Sequence, residues 1–163
     1  SPTTLDDMIH DIERIAQAME TAIAAISIVN GNRIDVEAVQ RPAAPGSWTP
    51  GDHQVVLFAT PDSMAADEDR TAGFETKRRV YVAMCLLKPS DDPAVSGVVD
   101  TTLAIFAGEV EAAIMANVQW AGLAVNTELN DPPPFPEVLG GYCGINVCVA
   151  VTYRHAAGDP FSL

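Results

Sequence analysis

The chain has 163 residues, 48% of them hydrophobic, which favours one domain over residues 1–163 with a core of its own. Its net charge of -13, from 22 acidic and 9 basic residues, argues against a protein that grips nucleic acid or binds an anionic membrane. No apolar run approaches the ~20 residues of a membrane span, and the first residues lack the basic and apolar regions of a signal peptide.

The first predicted element is an amphipathic helix from about Leu5 to Ile26, because apolar residues recur there at steps of three and four. The segment Thr4–Asp7 is typical of a helix start, with acidic side chains near the positive end of the helix dipole. Asn30-Gly31 indicates a turn at the other end.

Three strands are expected next. Apolar and charged residues alternate over 33–38, and a second strand is predicted over His53–Thr60. The third, Phe74–Leu87, is apolar on both faces towards its end, which indicates a central strand. The proline-rich stretch 41–51 and the acidic stretch 61–73 are predicted to be loops.

A second helix is predicted from an N-cap at Asp92 to about Val118, followed by a strand with alternating residues over 121–129. The proline tract Asp131–Pro136 is expected to be a stiff connector. In the last strand, one face is apolar, and a polar tail follows from His155; the apolar face consists of Ile145, Val147, Val149, Val151 and Tyr153. This order predicts an α+β fold: an antiparallel or mixed sheet of about five strands with two helices packed on one face.

The sequence offers no positive support for an enzyme, a metal site or a cofactor. The histidines have no metal-binding spacing, and the acidic runs lack the pattern of a calcium loop. The glycine-rich segment 140–144 precedes a strand, whereas phosphate-binding loops open a helix. The three cysteines, an odd number without a signal peptide, indicate a reducing compartment and small core residues; they are Cys85, Cys143 and Cys148.

Four aromatic residues lie in or beside predicted loops: Trp48, Trp120, Phe135 and Phe161. Aromatic side chains at such places favour a protein interface, since they combine a large area with few rotatable bonds. The alternative is that they fold back over the edge of the core, and the sequence leaves both readings open.

One family shares this order of elements and its ending. An amphipathic helix opens the chain, the strands His53–Phe58 and Arg79–Met84 precede the second helix, and Val147–Arg154 closes the sheet before Gly158-Asp159-Pro160. This pattern resembles the tail terminator (tail completion) proteins of long-tailed bacteriophages and of phage-like particles. The resemblance implies a small α+β virion protein that forms a homo-oligomeric, hexameric ring on the tail tube. Such a ring stops tube polymerisation and joins the tail to the head-side connector.

The resemblance further implies a location in the tail or neck of the virion, assembly in the host cytoplasm, and DNA that passes through the ring without specific binding. Some of the acidic excess is then expected at the lumen or its rim, and the polar tail is expected to reach a neighbouring subunit. Interface candidates are Trp48, Asp67, Glu68, Asp69, Phe135, His155, Asp159 and Phe161. Two alternatives stay open: another neck, head-completion or connector protein, and a small soluble ligand-binding or enzymatic α+β domain, which would need a pocket with convergent polar groups.

Overall fold

The computed structural model of the protein describes residues 11–41, 53–59, 63–64, 73–87, 99–131 and 143–156. Two α-helices lie in these ranges, α1 (Asp11–Ala24) and α2 (Val99–Met115), with two short 3-10 helices, η1 (Ile28–Asn30) and η2 (Trp120–Gly122). The strands are β1 (Ala38–Gln40), β2 (Gln54–Ala59), β3 (Ser63–Met64), β4 (Phe74–Leu87), β5 (Asn126–Leu129) and β6 (Cys143–Ala156).

The strands form a mixed sheet in the order β1-β2-β4-β6-β5, and the short β3 pairs with β4. β1 and β2 are parallel, while the remaining pairs are antiparallel. β4 and β6 make the longest ladder, from the pair Phe74–Ala156 to the pair Leu87–Cys143. The predicted central position of the strand Phe74–Leu87 is confirmed, since β4 lies between β2 and β6.

Both helices pack on the same face of this sheet. Their buried residues meet the inward side chains of β2, β4 and β6 in one core that includes Ile15, Met19, Ile23, Val55, Leu57, Tyr81, Phe106, Val110, Val149 and Tyr153. Arg41, just after β1, binds Glu13 and Glu20 of α1 through its guanidinium nitrogens at 3.1 and 3.5 Å, which ties α1 to this edge of the sheet. The predicted α+β fold is confirmed.

The last strand is buried on both faces, whereas only one apolar face was expected. Val149 and Val151 face the helices, while Cys148 and Ala150 on the opposite face are also buried. The neighbouring strand behaves in the same way, with Val82 and Leu86 buried on that opposite face. β6 therefore lies in the interior of the sheet, between β4 and β5, and its middle residues are buried on both faces.

Two predicted strands differ in extent from the observed ones. The strand expected over 33–38 is mostly loop, because its polar side chains bind outside any ladder: Arg33 donates to Glu109 of α2, and Asp35 accepts the backbone N–H of Ile28. β1 begins only at Ala38. The strand expected over 121–129 begins only at Asn126, because η2 intervenes. There Leu123 and Ala124 donate their backbone N–H groups to Trp120 and Gln119, which closes a turn.

The end of β6 also differs from expectation. His155 was predicted to begin a polar tail, but its backbone continues the β4–β6 ladder opposite Glu75, and Ala156 lies opposite Phe74. A truncation from His155 would thus remove two residues that pair with β4.

Candidate interaction surface

The loop that follows α1 exposes two adjacent aliphatic side chains. Ile28 is 61% exposed and Val29 is 94% exposed, and both belong to η1. We call this pair the Ile28–Val29 knob. Aliphatic side chains that stand together at the surface are candidates for contact with another protein.

Hydrogen bonds within the loop hold the knob in one conformation. The Ser27 hydroxyl accepts the backbone N–H of Asn30 at 3.2 Å, and the Asp35 carboxylate accepts that of Ile28 at 2.8 Å. The side chain of Asn30 donates to the carbonyl of Ala25 at 2.7 Å. Gly31 then takes a φ of 91°, a left-handed conformation that glycine adopts without strain. An ordered loop loses little entropy on binding, which favours a preformed contact.

A buried carboxylate on α2 anchors the far side of this loop. Glu109 Oε2 accepts the side-chain amide of Asn32 at 2.7 Å, and Oε1 accepts the guanidinium of Arg33 at 2.8 Å. These hydrogen bonds hold the pKa of Glu109 below its usual range, and the one from Asn32 has the largest effect, followed by the one from Arg33. Glu109 is therefore ionised at neutral pH, while the Arg33 side chain stays 78% exposed at the end of the knob loop.

An apolar groove lies between α2 and the ends of β5 and β6. Its volume is about 350 Å³, and its apolar lining includes Ala104, Ala107, Leu129, Ile145 and Val147. Leu129 is 53% exposed and Ile145 is 36% exposed, so part of this lining is open to solvent. Its polar lining residues are Glu111, Asn130 and Asn146. We call this feature the α2–β6 groove.

The knob loop and the α2–β6 groove lie on opposite sides of α2. Glu109, which holds the knob loop, is two residues away from both Ala107 and Glu111, which line the groove. Two residues correspond to about 200° of rotation around a helix with 3.6 residues per turn. One subunit thus presents a protruding apolar feature on one side and an apolar recess on the other.

A second groove, of about 430 Å³, lies between α1 and η2 and is lined by Ala18, Thr21, Ala22, Ala25, Asn117, Trp120 and Leu123. Ala25 belongs to the turn that leads into the knob loop, so this α1–η2 groove is on the knob's side of the molecule. None of its lining residues carries a charge.

The described part of the chain contains no cluster of three or more histidine, cysteine or acidic residues placed to hold a metal ion. Burial raises the pKa of the Cys85 thiol to about 12, and burial also raises that of Cys148. Both cysteines are therefore protonated core residues at neutral pH. None of the described helices is long and apolar enough to cross a membrane.

The interface residues predicted from the sequence fall almost entirely outside the described ranges. These are Trp48, Asp67, Glu68, Asp69, Phe135, Asp159 and Phe161, and for His155 only the backbone in β6 is described. Trp120, the remaining loop aromatic, is 4% exposed and donates its indole N–H to Thr127 at 3.0 Å. For Trp120 the fold-back alternative is correct.

The knob and the α2–β6 groove were not predicted from the sequence. One local signal for the knob exists, since Ile28 and Val29 stand immediately before the Asn30-Gly31 turn, where polar residues are usual. The groove has no local signal, because its lining comes from three elements that are distant in sequence.

Neither a protein-family model nor a curated protein matches this chain.

Proposed function

We propose that this protein is a virion structural protein, a tail terminator. It forms a hexameric ring that caps the tail tube, ends its polymerisation and joins the tail to the head-side connector. The observation that carries the proposal is the pair of unlike apolar surfaces on opposite sides of α2. A ring forms when one patch of each subunit contacts a different patch of the next and the rotation closes.

The fold is consistent with this proposal. The resemblance on which it is based implies a small α+β protein, and the chain has a mixed sheet with both helices on one face. The closing segment Val147–Arg154 that contributes to the resemblance lies within β6, against β4 and β5. Strands paired along their length, as β4 and β6 are, suit the rigid subunit that a ring around passing DNA needs.

The charge also supports the proposal. A net charge of -13 repels the phosphates of DNA, so a ring of such subunits would let DNA slide through without binding it. We place part of the acidic excess at the lumen, with Asp67, Glu68 and Asp69 as candidates. A ring with a strongly basic lumen would contradict this assignment.

The lining of the two grooves weighs against the ligand-binding alternative. Small-molecule sites combine an apolar pocket with several convergent polar groups. The polar residues that line the α2–β6 groove are Glu111, Asn130 and Asn146, and the side chain of Asn130 is already hydrogen-bonded to Arg78. The α1–η2 groove has only Thr21 and Asn117 beside its aromatic and aliphatic lining. Both grooves suit aliphatic side chains of another protein better than a polar metabolite.

Electron microscopy of particles assembled without this protein tests the proposal. A missing terminator leaves tails of uncontrolled length that fail to join heads, and adding the purified protein back should restore joined particles. Tails of normal length in its absence would refute the terminator function. Tails of normal length that stay unjoined would indicate the alternative of another neck component.

A further inference from the structure

We propose that the ring is closed by the Ile28–Val29 knob of one copy, which inserts into the α2–β6 groove of the next copy with Arg33 facing Glu111. The proposal rests on the proposed function, and it names the surfaces through which that function would be assembled. The occupant of the groove is a second copy of this chain.

The knob and the α2–β6 groove are both apolar, and one protrudes from the surface while the other is a recess. The knob offers two protruding aliphatic side chains, and the groove offers a recess lined by alanine, valine, leucine and isoleucine. The hydrogen bonds of the loop fix the knob before contact, so docking removes apolar surface from water with little loss of conformational freedom.

The charges are complementary as well. Arg33 pairs through Nη1 with Glu109 of its own subunit at 2.8 Å, yet 78% of its side chain stays exposed at the end of the knob loop. Glu111 lines the groove, and Asp131 follows Asn130 at its end. Within the described ranges neither Glu111 nor Asp131 has an ion pair in its own subunit. In a chain of net charge -13, copies repel one another unless cations are placed opposite carboxylates.

The α1–η2 groove is the competing receptor for the knob. It lies on the knob's own side of the molecule, so a knob inserted there would give a two-fold contact in which both copies use the same surface. It also lacks a carboxylate to meet Arg33. Position and charge therefore favour the α2–β6 groove and a head-to-tail ring.

Cysteine cross-linking tests the contact directly. The variant carries Val29→Cys on the knob and Ala104→Cys in the groove, with Cys143→Ala to remove a partly exposed thiol. Because the two positions lie on opposite sides of α2, they can be joined only between copies. Oxidation should give a covalent ladder that ends at a closed ring. The matched control replaces Val29→Cys by Val125→Cys, another exposed valine, and should give no ladder.

The variant Val29→Asp tests the contribution of the knob without cross-linking. An aspartate cannot enter an apolar groove next to Glu111, so we expect association at least about tenfold weaker per contact, and rings should be lost. Val125→Asp is the control and should assemble like the wild type. Val29 is almost fully exposed, so thermal unfolding of the Val29→Asp monomer should be unchanged.

Three results would overturn the proposal. They also show whether the knob contact alone is wrong or the terminator function as well. Rings that form normally with Val29→Asp would contradict the knob contact alone and leave the terminator function intact. A stable dimer that Val29→Asp abolishes would place the knob in the α1–η2 groove. A wild-type protein that stays monomeric even with tail tube protein would contradict both proposals.

Discussion

Glu109 organises the loop that carries the exposed knob. Its carboxylate accepts hydrogen bonds from the side chains of Asn32 and Arg33, and it is buried on α2. We predict that Glu109→Ala lowers the free energy of unfolding by about 1.5–3 kcal/mol, the range for hydrogen bonds to charged groups. Glu111→Ala, two residues further along α2, should change it by less than about 0.5 kcal/mol. Urea unfolding of both variants measures the difference, and equal effects would contradict this role.

The contribution of Glu109 should depend on pH. Its pKa in the folded protein lies below the ordinary value of 4.5, because Asn32 and Arg33 stabilise the charged form. The stabilisation is therefore fully present above about pH 4.5 and is lost as the pH falls through the lowered pKa of the folded state. The stability difference between the wild type and Glu109→Gln should shrink in acid. A difference that stays constant from neutral pH to about pH 3 would show that the ionised carboxylate is not the cause.

Thr127 links η2 to β5 through one buried hydroxyl. The hydroxyl accepts the indole N–H of Trp120 at 3.0 Å and donates to the carbonyl of Val118 at 2.7 Å. Thr127→Val keeps the shape but leaves both groups without this partner, so we expect a loss of about 1–3 kcal/mol in the free energy of unfolding. Thr127→Ser keeps the hydroxyl and should lose less. If the two variants unfold alike, the hydroxyl is not what stabilises this turn.

At the scale of the elements, the orientation of α2 can be tested, because neighbouring residues of this helix differ strongly in burial. Phe106 is fully buried against the sheet, whereas its neighbour Ile105 is partly exposed. Phe106→Ala should lower the free energy of unfolding by about 3–5 kcal/mol, through lost burial and the cavity left behind. Ile105→Ala should lower it by less than about 1 kcal/mol. A comparable loss in both would mean that α2 is rotated about its axis.

The long elements were predictable from the sequence because their burial leaves a repeating pattern. β4 was predicted at its observed bounds, Phe74–Leu87, since a central strand is apolar on both faces. The stripe of α2 was predicted through Leu103, Phe106, Val110 and Ile114, which are all buried in the structure. In both cases the apolar pattern extends over many residues, so the hydrogen bonds of a single polar side chain do not change the secondary structure.

The short elements and the interaction surface were not predictable in the same way. The strand expected over 33–38 alternates correctly, but Asp35 and Arg33 are used for hydrogen bonds that fix the knob loop instead of a ladder. The α2–β6 groove brings Ala104, Leu129 and Ile145 together only after the sheet has formed. Such tertiary contacts leave no periodic trace in a single sequence.

At the scale of the whole molecule, the subunit combines strong negative charge with two unlike apolar surfaces. The charge opposes association between copies, so assembly has to come from apolar burial at places where the local charges are complementary. Arg33 beside the knob and Glu111 in the groove meet that requirement. Their position on opposite sides of α2 favours head-to-tail contact over a two-fold dimer.

The mass of the assembled protein tests the central claim most directly. Native mass spectrometry of the purified 17.3 kDa chain, alone and with tail tube protein, distinguishes a closed ring from other states. We predict one discrete hexameric species that Val29→Asp abolishes and Val125→Asp preserves. A chain that remains monomeric under both conditions, or that forms an open-ended series of oligomers, would contradict the proposal that this protein is a ring-forming tail terminator.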